Sequence, residues 1–205
     1  KRDWSSDVCS SDLMPVRRVV VGHNKEGKSI LISDGPAPAV RTNPLRPGHV
    51  SNDIWKTGPL PYKLHAVHED PTLGPRQIHP PKGGTIIRIA EIGPESEEIR
   101  NMSPEKAREV FKAMGNENAS THGRGGRHPM MHRTETIDYA ICIEGEITML
   151  LDEGEVTLRA GDVLIQLGTN HAWSNRSGKV AKMLYVLIDG EFDDEMKGWF
   201  GSAGH

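Results

Sequence analysis

The chain has 205 residues with a formal net charge of −3 at pH 7, 26% of them charged and 36% hydrophobic, a length that fits one domain with a sizeable core. Its basic residues are scattered apart from short patches such as Arg17-Arg18 and Arg124 to Arg127, so no electrostatic footprint for nucleic acid stands out. No apolar run approaches the roughly 20 residues of a membrane helix and no leader pattern opens the chain, so it reads as a soluble, cytoplasmic protein with neither nucleic acid nor membrane as partner.

The first thirteen residues, KRDWSSDVCSSDL, repeat Ser-Ser-Asp and precede Met14-Pro15-Val16. They read as a linker or read-through tail and are set apart from the fold. Cys9 goes with them, and Cys142, in a different context, forms no disulfide or zinc spacing with it; a small buried side chain is expected there. VRRVVVGHNKEGKSILISDG then reads as two β-rich runs around Asn24-Lys25-Glu26-Gly27, a hairpin. Residues 35 to 82 are broken by prolines from Pro36 to Pro81 and should wrap a surface with short strands such as Asp53 to Lys56. His65 and His68 adjoin Glu69-Asp70 there, but the broken backbone argues against a second metal site. GGTIIRIAEIG at 83 to 93 alternates around β-branched residues and reads as a strand. Arg88 on it could pair with a substrate carboxylate if it faced inward, but its position favours an edge-facing charge.

One long helix is expected: Ser103 suits the N-cap, Pro104 the first turn, and Ala107, Val110, Phe111 and Met114 follow at helical spacing before Gly115. Beyond a glycine-rich loop at 115 to 127, strands are predicted near 130 to 143, 145 to 151, 154 to 159, 163 to 167, 170 to 175 and 180 to 188. Many short strands at this spacing point to an antiparallel sandwich or barrel. The expected organisation is a tail at 1–13, a β-rich extension at 14–115, a barrel core at 116–192 and a tail at 193–205 without a role.

If the strand opening at residue 130 runs without a bulge, His132, Thr134, Thr136, Asp138, Ala140 and Cys142 share one face, because side chains alternate with period two. That face is small and polar, and the other, with Tyr139, Ile141 and Ile143, is large and apolar. A barrel lined by the first face would hold a site rather than a packed core. GDVLIQLGTNHAWSN adds His171 and Trp173 on a segment that can return across the same barrel.

These two stretches resemble the paired motifs of the cupin superfamily. Gly126, His132, Thr134, Asp138 and Gly145 keep the first motif's spacing; Gly161-Asp162, Gly168, His171 and Asn175 resemble the second. Thr134 stands where the first motif has its second histidine and Asp138 where it has glutamate; Gln166 stands at the usual proline, in a segment one residue short. The resemblance implies an all-β cupin jelly-roll barrel with a strand-rich N-terminal extension and one short helix. It also implies a divalent metal ion, iron, manganese, nickel or zinc, held by His132, Asp138 and His171; His128, outside the motif but close upstream, is a candidate extra ligand by nearness alone. Asp138, one methylene shorter than glutamate, decides whether the carboxylate reaches ligand distance. Thr134, Tyr139, Gln166 and Trp173 would line the pocket or orient ligand and water.

The implied function is a metal-dependent enzyme of lyase, decarboxylase, dehydratase, isomerase or dioxygenase type. Its substrate would be a small organic acid or an aromatic or polyketide-like molecule. The alternative is a metal-free, non-catalytic cupin that senses or carries a small polar ligand. The resemblance also implies a homodimer.

Overall fold

The computed structural model describes residues 16–66 and 69–200. The expectations for residues 1–13, Cys9 and His68 fall outside the described residues. The predicted hairpin is present as β1 (Arg17–His23) and β2 (Ser29–Pro36), its turn closed by Asn24 Oδ1, which accepts from the backbone N–H groups of Glu26 and Lys28. It forms a two-stranded sheet of its own with no buried residue, an arrangement that is marginal in isolation. Arg18 ties it down: its guanidinium pairs with Asp70, donates to the Ile54 carbonyl and lies over the Trp55 ring.

The remaining strands are β3 (Ala39–Thr42), β4 (His49–Thr57), β5 (Thr85–Ile92), β6 (Thr136–Glu144), β7 (Glu146–Leu151), β8 (Glu155–Arg159), β9 (Val163–Leu167), β10 (His171–Ser174) and β11 (Ala181–Asp189). They form a six-stranded sheet in the order β3-β4-β5-β11-β6-β9 and a three-stranded sheet in the order β10-β7-β8. All these pairings are antiparallel. Ala90, Ala140, Cys142 and Met183 from the first sheet pack against Ile147 and Leu158 from the second, so the two sheets enclose one core in the all-β, jelly-roll manner. Cys142 is fully buried within it, as expected.

Helix α2 (Pro104–Ala113) lies where the capping signals put it, and the Ser103 hydroxyl accepts from the Lys106 N–H. It is not alone: α1 (Glu97–Arg100) and α3 (Asp194–Phe200) flank the barrel. Both are too short to show a helical period, and α3 buries none of its residues. Val110 and Phe111 of α2 pack with Ile99, Met102, Met130, Met131, Leu150 and Ala172 in a second core, which closes one end of the barrel.

On β6 the even positions Thr136, Asp138, Ala140 and Cys142 are buried while Ile137, Tyr139 and Ile143 are exposed. The small, polar face does look inward. Tyr139 is therefore outside the barrel, 40% exposed, and not a pocket residue. It is paired with Ile165 as Ile137 is with Leu167, forming an outward apolar strip on β6 and β9. Arg88 corrects the reading in the opposite sense: it is 5% exposed, on the same inward face of β5 as Ile86 and Ala90.

Candidate active site in the barrel

The strand expected from residue 130 begins only at Thr136. Upstream, His132 makes a single antiparallel bridge to His171, with its N–H donating to the His171 carbonyl at 2.9 Å and the His171 N–H donating back at 3.0 Å. Directly opposed residues on one face bring their side chains together. The two imidazole centroids are accordingly 4.3 Å apart, and the Phe111 ring of α2 sits 5.0 Å from His132.

Each ring is fixed through Nδ1. His132 Nδ1 lies 3.0 Å from the Met130 carbonyl and His171 Nδ1 2.9 Å from the Thr169 carbonyl. A carbonyl only accepts, so each Nδ1 carries the hydrogen and each Nε2 keeps its lone pair. Burial pushes both imidazoles down: His132 falls well below its usual range with His171 adding to the effect, and His171 falls to about 4. Both are neutral at neutral pH.

Gln166 connects these histidines to the six-stranded sheet. It is buried, its amide nitrogen donates to the Thr169 carbonyl at 3.1 Å and stands 3.3 Å from His171 Nδ1. It is also the cross-strand partner of Asp138. Burial raises the Asp138 carboxyl to about 6, with a Thr136 hydrogen bond and Arg88 pulling weakly the other way. Three buried polar atoms in this region, Asp138 Oδ1, Gln166 Oε1 and Tyr185 Oη, have no hydrogen-bond partner among the described residues. Thr134 is buried too, its hydroxyl 2.8 Å from that of Thr136. Trp173 faces inward, edge-on to His171 at 6.2 Å and to Tyr185 at 5.7 Å.

The structure thus brings His132, His171, Gln166, Thr134 and Trp173 into one interior, but it does not gather the three expected ligands. His132 and His171 belong to the bridge with β10, and Asp138 to the six-stranded sheet. Among the described residues no three His, Cys, Asp or Glu side chains form a group that could hold a metal. The free Nε2 atoms suit a metal and the carboxylate does not join them, so the residues do not fit a three-ligand centre. His128 is turned elsewhere: its Nδ1 accepts from the Met130 N–H at 3.1 Å and its Nε2 lies 2.8 Å from Glu95 Oε1.

Residues that sequence reasoning missed complete the interior. His49, at the start of β4, is held well below its usual pKa by burial and by Arg46, Arg76 and Arg88. Tyr185 lies inward on β11 between Met183 and Leu187 and is pushed far up by burial, so it remains a protonated donor. Its signal was present, a polar residue at the inward parity of an apolar strand. Arg46, in the proline-rich segment, had none.

A double antiparallel sheet with an inward polar strand, a bridged histidine pair and a helical cap defines a barrel of the cupin type. The cupin domain model matches residues 121–187. The cupin-domain-containing oxidoreductase srdB of Neurospora crassa is 44% identical over 177 residues, covering 84% of this chain and 72% of that protein. The similarly named fogC of Aspergillus ruber is 29% identical over 184 residues, covering 86% of this chain and 74% of its own. Phomopsin biosynthesis cluster protein D of Diaporthe leptostromiformis is 44% identical over 86 residues, 40% of this chain and 46% of that protein, so this chain matches about half the length of that relative. The chain belongs to the cupin family. No helix among its described residues is long and apolar enough to cross a membrane.

Proposed function

We propose that the barrel is the site of an enzyme that moves protons on a small organic molecule. The observation that carries this is the paired neutral imidazoles, each with a free Nε2, in a barrel whose other sheet turns inward a carboxyl that titrates near 6. A neutral imidazole accepts a proton at Nε2 and a carboxyl of that pKa can return it near neutral pH, the tuning expected of general acid–base groups. Tyr185 donates a hydrogen bond to an oxygen of the ligand, and Trp173 packs against its apolar part. The names of the relatives, oxidoreductases and a biosynthesis cluster protein, support chemistry on small molecules.

The test is hydrogen exchange. Chelator-treated protein in D2O, given 2-oxo and 3-oxo carboxylates and aryl ketones, should incorporate deuterium beside the carbonyl by NMR. The His132→Ala, His171→Ala double variant should not, and equal incorporation by the two proteins would sink the proposal. The histidine tautomers favour a second reading, in which iron, manganese, nickel or zinc binds at the two Nε2 atoms, orientation through Nδ1 being the usual support of a ligating imidazole. Exchange that appears only after reconstitution with one of these ions, together with stoichiometric metal by elemental analysis, would select it. A second copy of the chain is the proposed partner, because the outward strip of Ile137, Tyr139, Val163, Ile165 and Leu167 is the kind of apolar surface that marks an interface. An Ile165→Lys variant sedimenting like the wild type would remove that expectation.

A further inference from the structure

A cavity of about 690 Å3 lies between the N-terminal hairpin and the barrel, with Arg18, Val20, Ile32, Ile54, Trp55 and Tyr62 among its walls. It is outside the barrel, because Trp55 of β4 is paired with Ile87 of β5, which alternates with the inward Ile86 and Arg88. The hairpin turns Arg18, Val20 and Gly22 toward it, the face from which Arg18 reaches the Trp55 ring. Ile32 stands on that face too, since a Cβ at Gly22 would come within 3.1 Å of its side chain. Leu31, the partner of Val21 across the hairpin, points the other way and is 58% exposed.

The volume is that of a small-molecule site, for which roughly 300 to 1,000 Å3 is usual, and the walls have the usual composition, apolar and aromatic with few polar groups. Their fixed charges cancel. Arg18 pairs with Asp70, gives a further nitrogen to the Ile54 carbonyl and lies 5.8 Å over Trp55, while Asp70 also accepts from the Thr72 hydroxyl and N–H. Walls whose charges satisfy each other offer an ion no partner, and an ion taken out of water without one is costly. Two aromatic rings, Trp55 and Tyr62, border the space, and such rings gain from a ring neighbour. Because Arg18 ties the hairpin to the barrel, the two walls are joined there, and a folded protein surface cannot be inserted between them.

We propose that this cavity is a second binding site, separate from the barrel interior, for a neutral, planar aromatic molecule held between Val20 and Ile32 on one side and Trp55 and Tyr62 on the other. The site gives the hairpin a purpose. A two-stranded sheet with no buried residue is marginal alone, and a ligand against Val20 and Ile32 supplies apolar contact that the barrel does not.

Calorimetry at neutral pH with naphthalene-2-carboxamide, 2-naphthoate and adamantane-1-carboxamide tests the site. The planar amide should bind wild type about tenfold or more tighter than the planar anion or the bulky, non-planar amide. Ile32→Asp alters a residue that is 53% exposed, so the barrel should stay folded by circular dichroism while the planar amide binds about tenfold or more weaker. Trp55→Leu should weaken it likewise. Leu31→Asp, the same charge on the opposite face of the hairpin, should bind as wild type does. The His132→Ala, His171→Ala variant should also bind as wild type, which separates this site from the barrel. No binding of the planar amide, 2-naphthoate bound as tightly, or a folded Ile32→Asp protein that binds like wild type would each overturn the proposal. So would loss of binding in the histidine variant, which places the probe in the barrel. A wild-type dimer that binds no probe and that Ile32→Asp dissociates in sedimentation would give this face to a second copy instead, and would overturn it as well.

Discussion

Two polar regions lie inside this molecule and they differ in how they are satisfied. Around Asp53, which is fully buried, the carboxylate meets the Arg88 guanidinium at 2.7 Å, with Lys56 and Arg76 within 3.5 Å. Arg88 spends its other nitrogens on the Gln77 and Ile78 carbonyls, and Arg76 donates to the Ser51 hydroxyl. Burial pushes the Asp53 carboxyl up, but the cations outweigh it and leave it below its usual value. Around Asp138, by contrast, no ion pair forms among the described residues, and Oδ1, Gln166 Oε1 and the Tyr185 hydroxyl have no hydrogen-bond partner; Asp53 Oδ2 has none either, but it faces Lys56 Nζ at 3.4 Å. Both regions bury charged or polar side chains, so burial alone does not separate scaffold from site. Counter-charge does, because a buried carboxylate ringed by cations keeps its charge whereas one without them is costly to ionise.

The comparison breaks first at Asp53. Asp53→Ala leaves Arg88, Arg76 and Lys56 without their shared anion and releases β4 from β5 and from residues 76 to 78. The expected cost is about 3 to 5 kcal/mol in urea unfolding, the range for removing one partner of a buried ion pair. A loss below about 1 kcal/mol would show that the cluster does not hold the barrel together.

Asp138 should behave in the opposite sense, and pH exposes it. Its carboxyl is raised from 3.8 to about 6, so the folded state holds the proton more tightly than the unfolded chain. That contribution is complete below about pH 4 and is lost as pH rises through about 6, up to about 3 kcal/mol by linkage. His171, lowered from 6.5 to about 4, works the other way, its contribution being lost as pH falls through the same window, and His132 shares that direction. Asp138→Asn should therefore be more stable than wild type at about pH 8 and lose that advantage by about pH 4. Denaturant midpoints at both values check this, and a variant less stable than wild type at the higher pH would refute the picture of an uncompensated carboxyl.

The barrel was legible because its strands are short, alternate cleanly and are punctuated where geometry demands it. At Gly145, between β6 and β7, φ is 78° and a Cβ would come within 2.8 Å of the Val180 carbonyl oxygen, so the motif glycine is also a steric necessity. The inward polar face of β6 followed from parity. What parity could not supply was distance between sheets. His132 and Asp138 share a parity, but the chain leaves the ladder between them, where the Arg133 N–H donates to the Ala119 carbonyl; His132 bridges His171 of β10 in the three-stranded sheet, whereas Asp138 lies on β6 in the six-stranded one. Arg88 was misread because a lone charge on an apolar strand has no visible counter-ion until Asp53 is paired opposite it across β4 and β5. Arg46 and His49 come from a segment whose prolines erase any period.

The finest prediction concerns Thr134, which stands where the family motif has a second histidine. Its hydroxyl is 2.8 Å from the Thr136 hydroxyl, and Thr136 also hydrogen-bonds the Asp138 carboxyl. Thr134→Val keeps the shape and removes one hydroxyl, which should cost about 1 kcal/mol, the usual net worth of such a bond. Its effect on Asp138 is the more telling measurement. Either hydroxyl can donate in the Thr134–Thr136 pair; where Thr136 is the donor, removing the Thr134 oxygen frees that proton for the carboxylate, and a hydrogen bond to the charged form lowers a carboxyl pKa. The Asp138 carboxyl resonance, followed by 13C NMR, should then titrate below about 6, the wild-type value. An unchanged midpoint would mean that burial alone sets the Asp138 proton and that the threonine at this position plays no part in tuning it.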